Sequence, residues 1–166
     1  MGYWNDPERT AERFRPLPRR AVGLVILELA VFSGDTVRAD EEGYLYFIGR
    51  RDEMIKTSGY RVSPTEVEEE AYGTGLVADA VAVGVPHSRL GQGIVLLASA
   101  PEGAATDATP VLAALRRRLP RYMVPIAVEW RDALPRNANG KFDRARLRDE
   151  IAQRYADIEP DAPGEV

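Results

Sequence analysis

Residues 134–147 read LPRNANGKFDRARL and place one lysine, Lys141, directly after Asn139-Gly140. Asn-Gly is a strong turn signal because both residues tolerate positive φ, so the lysine leaves the turn with its ammonium free to reach outward. By itself such a lysine is a solvated surface group. It is also the form a point charge takes when negative charge must be met where it develops. Asp35, in the SGD of residues 33–35, offers a carboxylate that is acceptor-only when ionised, although a turn aspartate would look the same. GRRD at residues 49–52 carries Arg50 and Asp52, for which a plain surface ion pair is the bland reading. In KTSGYR, Gly59 stands between Lys56 and Arg61. A glycine there lets a narrow ligand pass close to the backbone, or simply supplies a positive φ. His87 follows a strand with no partner acid or serine motif, so it reads as a loop residue and not a base.

The chain has 166 residues, 45% hydrophobic and 29% charged, enough for one sizeable core or a core with a small appendage. A net charge of −4 argues against nucleic acid as a partner. The one dense basic run, Arg116-Arg117-Arg118, falls in the last turn of a helical pattern, where the macrodipole favours cations, and reads as a solvated helix end. There are no cysteines and one histidine, which excludes disulfides, thiolate metal sites and a histidine-rich metal cluster. No run is long and apolar enough for a membrane span, and the polar start lacks the apolar segment of a signal peptide. Cytoplasmic residence is the expectation.

Several elements must position these residues. NDPERTAERF reads as a short helix opening near Asn5 or Asp6 with Pro7 in its first turn. VGLVILELAVF and GYLYFIG are β-rich runs separated by SGDTVRADEEG, with a tight turn at residues 40–43, and together they make a hairpin-like piece. After GRRD, EMIKT and YRV are short strands on either side of Ser58-Gly59. Ser63-Pro64-Thr65-Glu66 is a capping-box signature for a helix from Pro64 to about Tyr72. In VADAVAVGV, valines alternate with Ala and Gly, giving a strand with one bulky face and one small face that a helix can approach closely. GIVLLASA and IAVEW are further strands, and between them Thr109-Pro110 opens a helix carrying Val111, Leu112, Leu115 and Leu119. Asp143 caps a last helix with Leu147, Ile151 and Tyr155 at i, i+4 and i+8. The pattern predicts an α+β fold with a mainly three-stranded sheet covered by helices. The acidic tail, residues 157–166, is expected to fray.

Four stretches, GYWNDPERTAERF, residues 33–69 from SGD to EVEE, LPRYMVP and LPRNANGKFDR, resemble in order and spacing the C-terminal third of the AMP-forming adenylating enzymes. These are the acyl-CoA synthetases, luciferases and peptide-synthetase adenylation domains. RRDEMIKTSGYRVSPTEVEE looks most like a bacterial acyl-CoA ligase, including those found beside exosortase systems. The resemblance implies that residues 1–51 are the end of the large adenylate-binding domain and residues 52–156 the mobile lid. The family's phosphate loop, acyl pocket and adenine-binding segments have no counterpart in this chain, so the chain alone is expected to be inactive.

The family reaction forms acyl-AMP from a carboxylic acid and ATP, with Mg2+ whose ligands are not in this chain, and then a thioester with CoA. By the resemblance, Lys141 is the adenylation lysine, Asp35 and Arg50 meet the ribose of ATP or AMP, and Asp52 is the hinge of lid rotation. Gly59 lines the pantetheine tunnel, and Lys56 and Arg61 lie where CoA phosphates would pass. The N-terminal adenylate-binding domain is the implied partner. An adenylation domain that loads a carrier protein's phosphopantetheine thiol, and a free-standing lid acting in trans, fit the same motifs.

Overall fold

The structure, a computed structural model, describes residues 2–16, 29–50 and 53–156. The chain divides into two compact units, Met1–Asp52 and Glu53–Val166. In the first, α1 (Pro7–Arg13) opens at Asp6, whose carboxylate accepts the Arg9 N–H at 2.9 Å, with proline in the first turn. β1 (Phe14–Pro16) pairs antiparallel with β2 (Leu29–Val31). β3 (Asp35–Ala39) and β4 (Leu45–Arg50) form an antiparallel hairpin. Its turn is built on Asp40, whose carboxylate accepts the Tyr46 hydroxyl and the N–H groups of Glu42 and Tyr44. Those bonds, the Tyr46 hydroxyl first, hold the Asp40 carboxyl below its ordinary range.

The strand opposite GYLYFIG is therefore DTVRA, which the sequence reading treats as a separator. That segment is five residues long and sets only Val37 and Ala39 against Thr36 and Arg38, too short an apolar alternation to mark a strand. Of the VGLVILELAVF run, residues 22–28 lie outside the described residues.

The second unit begins with β5 (Ile55–Thr57) and β6 (Tyr60–Val62), a hairpin whose two-residue turn has positive φ at both Ser58 (51°) and Gly59 (82°), the mark of a type I′ connection. α2 (Pro64–Tyr72) follows at the predicted bounds, but the Ser63 side chain makes no capping hydrogen bond. β7 (Asp79–His87) and β8 (Gly91–Ser99) pair antiparallel over nine residues. From β8 the chain crosses over through α3 (Ala108–Arg118) to β9 (Ala127–Trp130), which lies parallel to β8. α4 (Arg144–Ala156) closes the unit. The three longer strands β7, β8 and β9 form the sheet's body, and the β5–β6 hairpin joins β8 at Thr57 opposite Gly91, making five strands. α3 is capped by Asp107, which accepts the Thr109 N–H at 2.9 Å, and not by Thr109 itself.

Helices cover both faces. Ala80 and Ala82 of β7 face the core built with Val67 and Ala71 of α2 and with Val111 and Leu115 of α3. Val81, Val83 and Val85 face Leu147 and Ile151 of α4. The small face thus admits α2 closely, while the bulky face fills the space under α4.

β7 is an edge strand, and side chains occupy its outer hydrogen-bonding groups. The Tyr72 hydroxyl accepts the Ala80 N–H at 3.0 Å. Glu68 accepts the Ala82 N–H at 2.7 Å, and Arg144 donates to the Ala82 carbonyl at 2.8 Å. Glu68 and Arg144 also bond to each other through both carboxylate oxygens, so the ion pair takes the place of a neighbouring strand.

Candidate functional site

Lys141 is exposed, and its ammonium has no partner among the described residues. The loop that carries it is held tightly. The Lys141 carbonyl accepts the Asn137 N–H at 2.7 Å, and the Asn137 carbonyl accepts the Gly140 N–H at 2.9 Å. Gly140 has φ of 77°. Three residues thus connect a short ladder, with the third in the left-handed region as a three-residue hairpin requires. Asn139 is not in that region, so only the glycine of the Asn-Gly pair uses its freedom. The Asn137 side chain accepts the N–H groups of Asn139 at 2.9 Å and Lys141 at 3.2 Å. An Arg136↔Phe142 bridge closes the hairpin, and Asp143 then caps α4 through the Arg146 N–H at 3.1 Å. Such an ammonium can meet an anion brought to it with little reordering of its backbone.

Gly59, Lys56 and Arg61 lie together on the β5–β6 hairpin, with Lys56 and Arg61 directly paired across the strands and both exposed. No atom lies within 4 Å of where a Cβ on Gly59 would sit, so the glycine answers to its φ of 82° and not to crowding within the chain. The hairpin is braced from LPRYMVP. Tyr122, in the 3-10 turn Arg121–Met123, stacks on Tyr60 with ring centroids 4.0 Å apart. The Ser58 N–H bonds the Leu90 carbonyl at 2.9 Å, and a cleft of about 340 Å³ opens beside it, lined by Thr57, Ser58, Arg121 and Tyr122 among others. His87 accepts the Arg89 and Leu90 N–H groups on Nδ1, at 3.2 and 3.3 Å, and so closes the β7–β8 turn as a loop residue.

The Lys141 and Gly59 loops are not brought together. The first is tied to the Asp79 end of β7, where Arg136 meets Asp79 at 3.5 Å. The second is tied to the other end, where Thr57 pairs with Gly91 and Gly91 with His87. The nine residues of β7 separate these ends by roughly 27 Å at ~3.4 Å per residue.

In the first unit, Asp35 and Arg50 stand opposite each other across the β3–β4 hairpin, their charges 3.9 Å apart and both partly exposed. Asp35 borders a cleft of about 480 Å³ shared with Arg13, Arg15 and Phe32. Arg13, which sequence reasoning did not single out, donates to the Ser33 carbonyl at 2.6 Å and so grips the turn that leads into Asp35. Asp52 lies outside the described residues. Arg118 donates to Glu70 at 3.2 Å and to the Gly73 carbonyl at 3.0 Å, so one arginine of the basic run ties α3 to the end of α2. Among the described residues, no three His, Cys, Asp or Glu side chains gather to hold a metal ion, and no helix is long and apolar enough to cross a membrane.

Residues 66–141 match the family model of the AMP-binding enzyme C-terminal domain. Over 154 residues the chain is 36% identical to a long-chain-fatty-acid–CoA ligase of Bacillus subtilis (strain 168), covering 93% of this chain and 25% of that protein. Over 151 residues it is 38% identical to a 3-hydroxybenzoate–CoA ligase of Aromatoleum sp. (strain CIB), covering 89% of this chain and 27% of the relative. The chain therefore spans about a quarter of the length of the curated relatives it matches. Among solved structures, ATP-bound MatB from Rhodopseudomonas palustris superposes with a TM-score of 0.77 at 31% identity, over 93% of this chain and 28% of that one. Matching motifs, matching fold and a likeness running over nearly the whole chain have one common explanation: this chain carries the C-terminal domain of the AMP-forming adenylating enzymes.

Proposed function

We propose that this chain is the C-terminal part of an AMP-forming acid–CoA ligase, with two ends of one lid serving two half-reactions in turn. The observation that carries the reading is the separation of the Lys141 and Gly59 loops by the length of β7. A single active site cannot use both at once, so a rotating lid would present one and then the other.

In the first half-reaction a carboxylate attacks the α-phosphorus of ATP and pyrophosphate leaves. Lys141, an ammonium on a braced hairpin, meets the charge gathering on the phosphate oxygens. Asp35 accepts hydrogen bonds from the ribose hydroxyls with Arg50 beside it, and Arg13 holds the turn that delivers Asp35. In the second half-reaction the CoA thiol attacks the acyl carbon and AMP leaves. Gly59, which has no side chain to obstruct the incoming thiol arm, lines its path, and Lys56 and Arg61 stand ready for CoA phosphates. Asp52 is assigned the hinge. Mg2+ on the phosphates would be held by groups outside this chain.

The remainder of the large adenylate-binding domain is the assigned partner of residues 1–51. The exposed Val37, Leu45, Tyr46 and Phe47 of the β3–β4 hairpin suit a surface that such a domain covers. The acid binds outside this chain, and the cytoplasm, where ATP and CoA are found, is the assigned compartment. Carboxylate-dependent exchange of pyrophosphate into ATP tests the reading. It is expected in the intact protein and absent from the 166-residue chain alone. Exchange by the chain alone, or none by the intact protein with any of a panel of acids, overturns it. Transfer to CoA, compared with transfer to a phosphopantetheinylated carrier protein, decides the acceptor.

A further inference from the structure

The peptide unit between Gly140 and Lys141 is fastened at both of its polar ends by side chains. Its N–H is taken by the Asn137 carboxamide at 3.2 Å, and its carbonyl accepts Arg136 Nη1 at 3.0 Å. The same guanidinium lies over the Phe142 ring, 4.0 Å from its centroid, and its other terminal nitrogen reaches Asp79 Oδ1 at 3.5 Å. Phe142 in turn packs against the core under α4, and Asp79 begins β7. Arg136 thus uses its edge and its face together. One end of the fork fixes the residue before Lys141, the other is anchored to the sheet, and the plane stacks on the residue after Lys141.

An exposed arginine–aspartate pair contributes little by itself, and Arg136 is half exposed. What sets this residue apart is that one planar group, anchored to Asp79, contacts both neighbours of a single lysine. Resting on the functional reading above, we infer that Arg136 is a positioning residue for Lys141. It holds the backbone on both sides of the lysine so that the ammonium reaches the phosphate in one geometry. Lysine cannot replace it, because an ammonium keeps the charge but has neither the fork nor the flat face.

The test uses the intact protein and compares Arg136→Lys, Arg136→Ala, Asp79→Asn and Lys141→Ala. Pyrophosphate exchange is assayed beside thioester formation from supplied acyl-adenylate. Misplacing a reacting group by about 1 Å costs ~100-fold, so Arg136→Lys is expected to lower kcat for exchange by ~10–100-fold. KM for ATP and the thioester step should be nearly unchanged. Asp79→Asn, which leaves the guanidinium on Phe142 and Gly140, should give a smaller loss in the same half-reaction. The double variant Arg136→Lys/Lys141→Ala should be no worse than Lys141→Ala alone. Hydrogen exchange of the peptide spanning residues 137–142 should speed up in Arg136→Lys while the β7–β8 peptides do not change.

Wild-type exchange kinetics in Arg136→Lys, when Lys141→Ala is crippled, would overturn the inference and leave the functional reading intact. Equal loss in both half-reactions, or faster hydrogen exchange throughout the sheet, would make Arg136 a general structural residue. An unaffected Lys141→Ala would overturn the functional reading, and the inference with it.

Discussion

Replacing Arg144 by methionine should destabilise the lid severely, although the residue lies at the start of the last helix and is partly in contact with water. In the native fold Arg144 donates to the Ala82 carbonyl and to both oxygens of Glu68, and it stands 3.5 Å from Glu53. Glu68 is almost fully buried and, among the described residues, keeps only the Ala82 N–H at 2.7 Å once the guanidinium is gone. Removing one partner of such a pair typically costs ~3–5 kcal/mol. The Arg144 side chain is 24% exposed and Glu53 is more exposed still, so the Glu53 arm adds little and the lower end applies, about 3 kcal/mol. For a domain of this size that corresponds to a fall in Tm of ~10–15 °C.

Thermal and urea unfolding followed by circular dichroism reads it directly. The double change Glu68→Leu/Arg144→Met removes the stranded charge, and should be less destabilised than the two single losses added together, by ~1–3 kcal/mol. It should still not reach wild type, because the edge groups of Ala82 then have no partner. A fall of under ~3 °C for Arg144→Met would refute the claim that the ion pair completes the edge of β7.

At Gly59, alanine and leucine pay the same strain for φ of 82° and differ only in bulk, with no atom of the chain within 4 Å of the new Cβ. Both should lose a similar ~1–2 kcal/mol of stability, read by melting, while only Gly59→Leu loses thioester formation from supplied acyl-adenylate in the intact protein. Equal thioester activity in the two variants would reduce the glycine to a turn residue. Tyr155 is half-buried against Glu129, and burial first, then the neighbouring carboxylate, pushes its phenol up to about 12. Between the unfolded value of about 10 and that value the folded state keeps a proton that the unfolded chain loses, so stability falls as pH rises through the window. Spectroscopic titration should show one tyrosine ionising late, and Tyr155→Phe should both remove that step and flatten the loss of stability between about pH 10 and 12.

The parts of this molecule that local chemistry decides were legible from residue types. Ser63-Pro64 marks the start of α2, Asp143 the start of α4, and the Val/Ala alternation of β7 assigns its two faces to different helices. Lys141 stood out because a turn precedes it, and the turn is there, although the glycine alone takes positive φ. What escaped depends on contacts distant in sequence or on choices between equivalent neighbours. Asp107 and Thr109 are both good caps, and only the folded loop selects the aspartate. β3 offers only Val37 and Ala39 on one face, too short an alternation to stand out in the sequence. Arg136, Arg13, Tyr122 and the Glu68–Arg144 pair act through partners up to 76 residues away, and no periodicity reports them.

The central claim is that the exposed ammonium of Lys141 serves one half-reaction only, the other being served from the far end of β7. Lys141→Ala in the intact protein, assayed in parallel for carboxylate-dependent pyrophosphate exchange and for thioester formation from supplied acyl-adenylate, tests it most directly. Exchange should fall by ~10²–10³-fold with thioester formation within a few-fold of wild type. An equal fall in both, or no fall in exchange, would contradict the assignment of Lys141 and the division of labour between the two ends of the lid.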